Sequence, residues 1–130
     1  MMKKKILIVE DEEHVIELLK INLLRRGYQV ETAGSGENAI EIAKQWIPDL
    51  ILLDIMLPGM DGWEVCRKMK EDKSMCGISI IVVSAAAQKT DIQRAKEYSI
   101  ALFIPKPFDL CGLLIAISEL TGVNSGQSPE

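Results

Sequence analysis

The sequence predicts an α/β protein built on a parallel sheet that helices cover on both faces. Short runs of consecutive Ile, Leu and Val recur along the chain, separated by stretches long enough to hold a helix. These runs do not alternate apolar with polar residues, as a strand with one wet face would, so they belong to a sheet buried on both sides. The intervening stretches place apolar residues at helical spacing. Five strands alternating with five helices imply parallel pairing through right-handed crossovers. A chain of 130 residues suffices for one such domain with a real core.

The elements follow in order. Ile6-Leu7-Ile8-Val9 is the first strand. A first helix carries Val15, Leu18, Leu19, Asn22 and Leu23 on one stripe and stops at Gly27. The run from Tyr28 to Ala33 does alternate, which suits a half-exposed edge strand. Ser35 can cap a second helix with Ala39, Ile40, Ala43, Trp46 and Ile47 facing inward, and Pro48 ends it. Asp49 to Leu53 is the third strand. Asp61 can cap a third helix, with Glu64 as its capping-box partner and Val65, Cys66 and Met69 inward. Ile78 to Val83 is the fourth strand, and a helix with a thin apolar stripe of Ile92, Ala95 and Ser99 spans about Gln88 to Ser99. Ala101 to Ile104 is the fifth strand. The last helix starts at Asp109 and buries Leu110, Leu113, Leu114 and Ile117, with Gly112 inside it costing roughly 1 kcal/mol relative to Ala. Polar, aperiodic residues follow, so residues 3–121 form the domain and 122–130 a flexible tail or linker stump.

Composition narrows the function. The apolar runs are far shorter than the ~20 residues a bilayer span needs. Three lysines precede the first strand and acids follow it at once, which is neither a signal peptide nor an anchor. A net charge of −4 gives no basic footprint for direct nucleic-acid binding. Cys66, Cys76 and Cys111 are an odd number without C-x-x-C spacing, which reads as reduced thiols of the cytoplasm. The single His14 reads as a solvated side chain of the first helix.

In open parallel α/β sheets the chemistry collects at the carboxyl ends of the strands. Glu10-Asp11-Glu12-Glu13 follow the first strand, Asp54 the third, Ser84 the fourth, and Lys106-Pro107 the fifth. In the strand order 2-1-3-4-5, Asp54 sits beside Asp11 and Glu10. Carboxylates that close repel, so one takes up a proton or a cation sits among them. Mg²⁺ suits an all-oxygen donor set. Glu12 and Glu13 are explained by the positive end of a helix dipole. A lone charge at Asp54, ending a buried strand, is not. A phosphorylated carboxylate would need a metal, a fixed cation and a hydroxyl, and this rim offers such groups in Asp11, Lys106 and Ser84.

Val9-Glu10-Asp11-Glu12, Asp54-Ile55-Met56-Leu57-Pro58-Gly59-Met60-Asp61-Gly62, Ser84-Ala85 and Lys106-Pro107-Phe108 together resemble the motifs of response-regulator receiver domains, from about Lys3 to Leu120. The resemblance implies the flavodoxin-like three-layer fold, and the order 2-1-3-4-5 comes with it. It also implies Asp54 as phosphoacceptor and Mg²⁺ held by Asp11, Asp54 and the Met56 backbone carbonyl, with Glu10 acting through water. Lys106 would hold a phosphoryl oxygen and precede a cis bond to Pro107. Ser84 and Phe103 would form the switch. The implied donor is a sensor histidine kinase or a histidine phosphotransfer protein, and the implied output face is helix 4, strand 5 and helix 5, where a homodimer can form.

Two stretches depart from the family pattern. Tyr98-Ser99-Ile100-Ala101-Leu102 lacks the acidic pair through which relatives often dimerise, so Leu102 is either strand core or part of an apolar contact patch. Pro105 replaces a small hydroxyl residue. Three rival readings remain beside the phosphoacceptor switch. A Mg²⁺-dependent aspartyl phosphatase wants a second aspartate where Met56 stands. A nucleotide or flavin module wants a glycine-rich turn where Glu10-Asp11-Glu12 stand. A phosphorylation-independent docking module has no use for intact Asp11, Asp54, Ser84 and Lys106. Met56 and Ala86 offer no group to orient an attacking water, so self-dephosphorylation should be slow. The chain reads equally as a stand-alone receiver or one excised from a longer protein.

Overall fold

Every residue of the third strand, Leu50–Leu53 (β3), is at most 2% exposed, as a strand roofed on both faces must be. It lies at the centre of a computed structural model that describes residues 3–85 and 89–123. Around it, Lys5–Val9 (β1), Gln29–Ala33 (β2), Ser79–Ser84 (β4) and Leu102–Pro105 (β5) complete one parallel sheet in the order β2-β1-β3-β4-β5. The helices are Glu13–Arg25 (α1), Gly36–Trp46 (α2), Gly62–Glu71 (α3), Lys89–Glu97 (α4) and Leu110–Thr121 (α5). This is the predicted fold class and strand order.

Alternate residues of the central strands feed two separate cores. Ile6, Ile8, Leu50, Leu52, Ile81 and Val83 face one side, where Leu19 and Leu23 of α1 and Leu113, Leu114 and Ile117 of α5 cover them. Leu7, Val9, Ile51, Leu53, Ile80 and Val82 face the other, beneath Ala39 and Ala43 of α2 and Val65, Cys66 and Met69 of α3. The edge strand β2 is half-exposed, as its alternation requires. The Ser35 hydroxyl accepts from the Asn38 N–H, and Asp61 accepts from the Glu64 N–H, so both caps form.

Several expectations shift. Leu18, on the stripe predicted to face inward, is 44% exposed; only Leu19 and Leu23 of α1 are buried, and Asn22 instead donates to the Leu18 carbonyl. Ile47, predicted to lie on the inward face of α2, terminates that helix in the left-handed region at φ 49, which turns its side chain outward. Ser99 likewise lies beyond α4 at φ 55. Glu64 spends its carboxylate on Arg67 rather than on a capping box. Strand ends move by one residue: Ser84 and Pro105 close β4 and β5 from within, whereas Tyr28, Asp49, Ile78 and Ala101 fall just outside their strands. Leu102 is exposed, so it is not strand core. Gln88, Ala86 and residues 124–130 of the expected tail lie outside the described residues.

Candidate functional site

Main-chain pairing carries the site residues to one rim. The Asp54 N–H donates to the Val9 carbonyl at 3.0 Å and the Glu10 N–H to the Ala33 carbonyl at 3.0 Å, so the ladders of β3 and β2 against β1 continue one residue past the strands. Glu10 and Asp11 therefore stand beside Asp54. On the other flank the Lys106 N–H donates to the Ser84 carbonyl at 2.9 Å. That bond fixes the chain just past β5 and lets the Lys106 side chain reach back across the rim.

The Lys106 ammonium donates to Glu10 Oε1 at 2.9 Å and to Asp54 Oδ2 at 3.2 Å. The other Asp54 oxygen, Oδ1, accepts from the Met56 N–H at 3.0 Å, and Glu10 Oε2 accepts from the Glu12 N–H at 3.3 Å. Glu10 is 4% exposed and Asp54 6%, whereas Asp11 is exposed. Carboxylate oxygens of Glu10, Asp11 and Asp54 lie within 4.8 Å of one another. Burial pushes the Glu10 carboxyl above its ordinary range; the Lys106 hydrogen bond opposes this, and the charge of Asp54 adds to it. Burial also pulls the Lys106 ammonium downward, but bonding to Glu10 and the charges of Asp54 and Glu10 outweigh it, so its net shift is upward. Three carboxylates thus cluster around a site where one ammonium pairs with two of them. A hard divalent cation with oxygen preference fits the deficit, since no thiol or imidazole is among the donors.

Ser84 is completely buried at the end of β4, and the Lys106–Pro107 peptide is cis. Phe103, in the middle of β5, is half-buried against the α2–α3 core. It meets an aromatic neighbourhood that sequence reading missed: its ring stacks on Trp63 at 6.5 Å, and Trp63 stacks on Tyr98 at 6.0 Å. The Met56 N–H makes a second contact that the sequence does not reveal outright. Its local signal is Asp54 itself, since an aspartate side chain readily accepts from the backbone N–H two residues on.

Residues 6–118 match the model of the response regulator receiver domain family. The chain belongs to that family. This receiver domain is 43% identical over 107 residues to the alkaline phosphatase synthesis transcriptional regulatory protein PhoP of Bacillus subtilis, covering 82% of this chain and 44% of the relative. It is 38% identical over 120 residues to the response regulator PleD of Caulobacter vibrioides, covering 92% and 26%. The chain therefore spans less than half the length of these curated relatives. Among solved structures, the receiver domain of a sensor histidine kinase from Pseudomonas aeruginosa PAO1 superposes with a TM-score of 0.83 at 26% identity, covering 93% of this chain and 99% of that one. That structure holds a magnesium ion coordinated in its active-site cleft. The receiver domain serves signal reception in two-component systems. Among its described residues no helix is long and apolar enough to cross a membrane.

Proposed function

We propose that this receiver domain is a phosphoacceptor switch: Asp54 takes a phosphoryl group from a phosphohistidine on a sensor histidine kinase or a histidine phosphotransfer protein. The observation that carries the reading is the convergence of Lys106, Glu10 and Asp11 on the Asp54 carboxylate. An Asp54 oxygen forms the new bond to phosphorus as the phosphorus–nitrogen bond of the donor breaks. The departing imidazole keeps the electron pair and takes a proton from solvent. Such a transfer demands positioning and charge neutralisation rather than a separate base.

Asp54 enters the reaction held at both oxygens, by Lys106 on one and the Met56 N–H on the other. Mg²⁺ would be held directly by Asp11, Asp54 and the Met56 carbonyl, with Glu10 through water, and would supply neutralisation of the phosphoryl charge. Lys106 already touches Asp54 and would follow a phosphoryl oxygen. Ser84 would donate its hydroxyl to another, and Phe103 would turn inward behind it. Lys106 would then leave Glu10, which couples chemistry at Asp54 to movement of β5.

The output face is α4, β5 and α5, where Ile92 and Leu102 present exposed apolar side chains to a partner or a second copy. An apolar groove of about 450 Å³ between Val15 and Leu18 of α1 and Pro107, Phe108 and Leu110 lies beside the site and suits the donor protein. Met56 in place of a second aspartate limits the chain to its own phosphorylation and slow dephosphorylation. Three free thiols suit a reducing cytoplasm.

The test is intact mass after incubation with acetyl phosphate and Mg²⁺. The expected result is one added phosphoryl group, which does not form when the metal is chelated beforehand and is absent in Asp54→Asn. Labelling that persists in Asp54→Asn would overturn the reading.

A further inference from the structure

Among the helices, α4 is the least anchored. Of its described side chains only Asp91 and Ala95 are even half-buried, and Thr90, Ile92, Gln93, Arg94, Lys96 and Glu97 are exposed. A buried indole from another helix meets it at both ends. Trp63, in the first turn of α3, donates Nε1–H to Asp91 Oδ1 at 3.1 Å in the first turn of α4. The same ring stacks on Tyr98, just past the last turn of α4, with centroids 6.0 Å apart and planes inclined by 24°. It also stacks on Phe103 of β5 at 6.5 Å and 19°.

Trp63 is in turn coupled to the phosphoacceptor loop. Its neighbour Gly62 donates its N–H to the Ile55 carbonyl at 2.9 Å, one residue from Asp54. The approach is so close that a Cβ on Gly62 would stand 2.6 Å from Ile55 Cα and 2.9 Å from the Asp54 carbonyl oxygen. A displacement of the backbone at Ile55 therefore has to move Gly62, and with it Trp63.

We infer that Trp63 is a positioning residue, an aromatic clamp that holds α4 and Phe103 in the resting arrangement and releases them when the Asp54 loop changes. The inference rests on the phosphoacceptor reading. Its physical basis is differential: the Trp63–Asp91 bond exists only with α4 in this placement, so any activated arrangement that displaces α4 gives it up. Deleting the bond lowers the cost of activation. For a hydrogen bond to a partly solvated carboxylate the shift is on the order of tenfold in the equilibrium.

The test uses the full chain with Trp46→Phe as background, so that Trp63 is the one remaining indole. Beryllofluoride with Mg²⁺ is titrated while Trp63 emission is read, and acetyl phosphate labelling of Asp54 is followed by mass in parallel. In the background protein the emission shifts on saturation. Asp91→Ala binds beryllofluoride about tenfold more tightly and shows a reduced shift. Asp91→Asn loses the charge but keeps the acceptor oxygen, and it stays near the background value, which separates the hydrogen bond from the effect of an acid on the α4 dipole. Trp63→Phe, read by labelling rate, matches Asp91→Ala, and the double variant adds nothing further. A background protein that labels at Asp54 while Asp91→Ala keeps unchanged affinity overturns the clamp alone. Asn and Ala variants that behave identically overturn it too. A protein that takes no label overturns the phosphoacceptor reading and the clamp with it.

Discussion

Replacing Lys106 by Met keeps an unbranched apolar stem of similar reach and removes the ammonium. That group makes ion pairs of 2.9 and 3.2 Å with two carboxylates that are themselves almost wholly buried. Each pair is worth about 5–6 kcal/mol of gross attraction at an effective dielectric constant of 20, most of it offset by desolvation. Breaking such a pair from one side nevertheless costs about 3–5 kcal/mol, because the partner charge stays buried. Here the lower end applies, since the lysine is 18% exposed and the rim opens to solvent through Asp11. A loss of about 3 kcal/mol lowers the melting temperature by about 12 °C in a domain of this size. The metal response runs the other way. A divalent and a monovalent cation about 5 Å apart repel by about 1.7 kcal/mol even in the dielectric of water, so Mg²⁺ on these carboxylates is expected to bind about tenfold more tightly without the lysine. Thermal unfolding with and without Mg²⁺, together with calorimetric titration of the metal, reads both effects. The variant is expected to be the less stable protein in chelator and to regain most of the loss in saturating Mg²⁺. Unchanged metal affinity would refute the view that the ammonium and the cation compete for the same carboxylates.

Other expectations follow from features elsewhere in the fold. Burial pushes the Cys66 thiol up to about 12 from an ordinary value of 9.0, so its contribution to stability is complete below pH 9 and declines as pH rises from 9 toward 12. The decline is about 1.4 kcal/mol per pH unit, and Cys66→Ala flattens it in urea melts run across that window. Alkylation of the native protein modifies Cys76 and Cys111, which are exposed, and spares Cys66, as peptide mapping will show. Ile47→Gly at φ 49 relieves a left-handed β-branched residue and raises stability by about 1 kcal/mol in chemical denaturation. Gly62→Ala drives a methyl against the Ile55 backbone and costs about 1–3 kcal/mol; it also slows acetyl phosphate labelling, because the loop it displaces carries Asp54.

The sequence disclosed most where one physical requirement had one local signature. Unbroken apolar runs announced β1, β3 and β4, because a strand covered on both faces has no use for alternation. The acids after Val9, the aspartate after Leu53 and the lysine after Pro105 announced one rim, because parallel strands all end on the same side. Helix stripes were less decisive. Leu18 looked like core because a stripe of apolar residues says which face is greasy but not how wide the covering surface is, and α1 buries a narrower band than it offers. Ile47 misled for a different reason: a left-handed terminus before Pro48 normally advertises itself with glycine or asparagine, and here it carries isoleucine. The Trp63–Asp91 contact left no trace in the sequence. Its partners are 28 residues apart on different helices, and their meeting depends on how α3 and α4 lie over the sheet.

The salt bridges of Lys106 span 96 residues to Glu10 and 52 to Asp54. A cluster drawn from both ends and the middle of the polypeptide exists only after β1, β3 and β5 have all joined the sheet. Until β5 joins β4, Asp54 lacks the Lys106 ammonium. If Asp54 accepts phosphate as proposed, its incorporation reports that all three strands are in place.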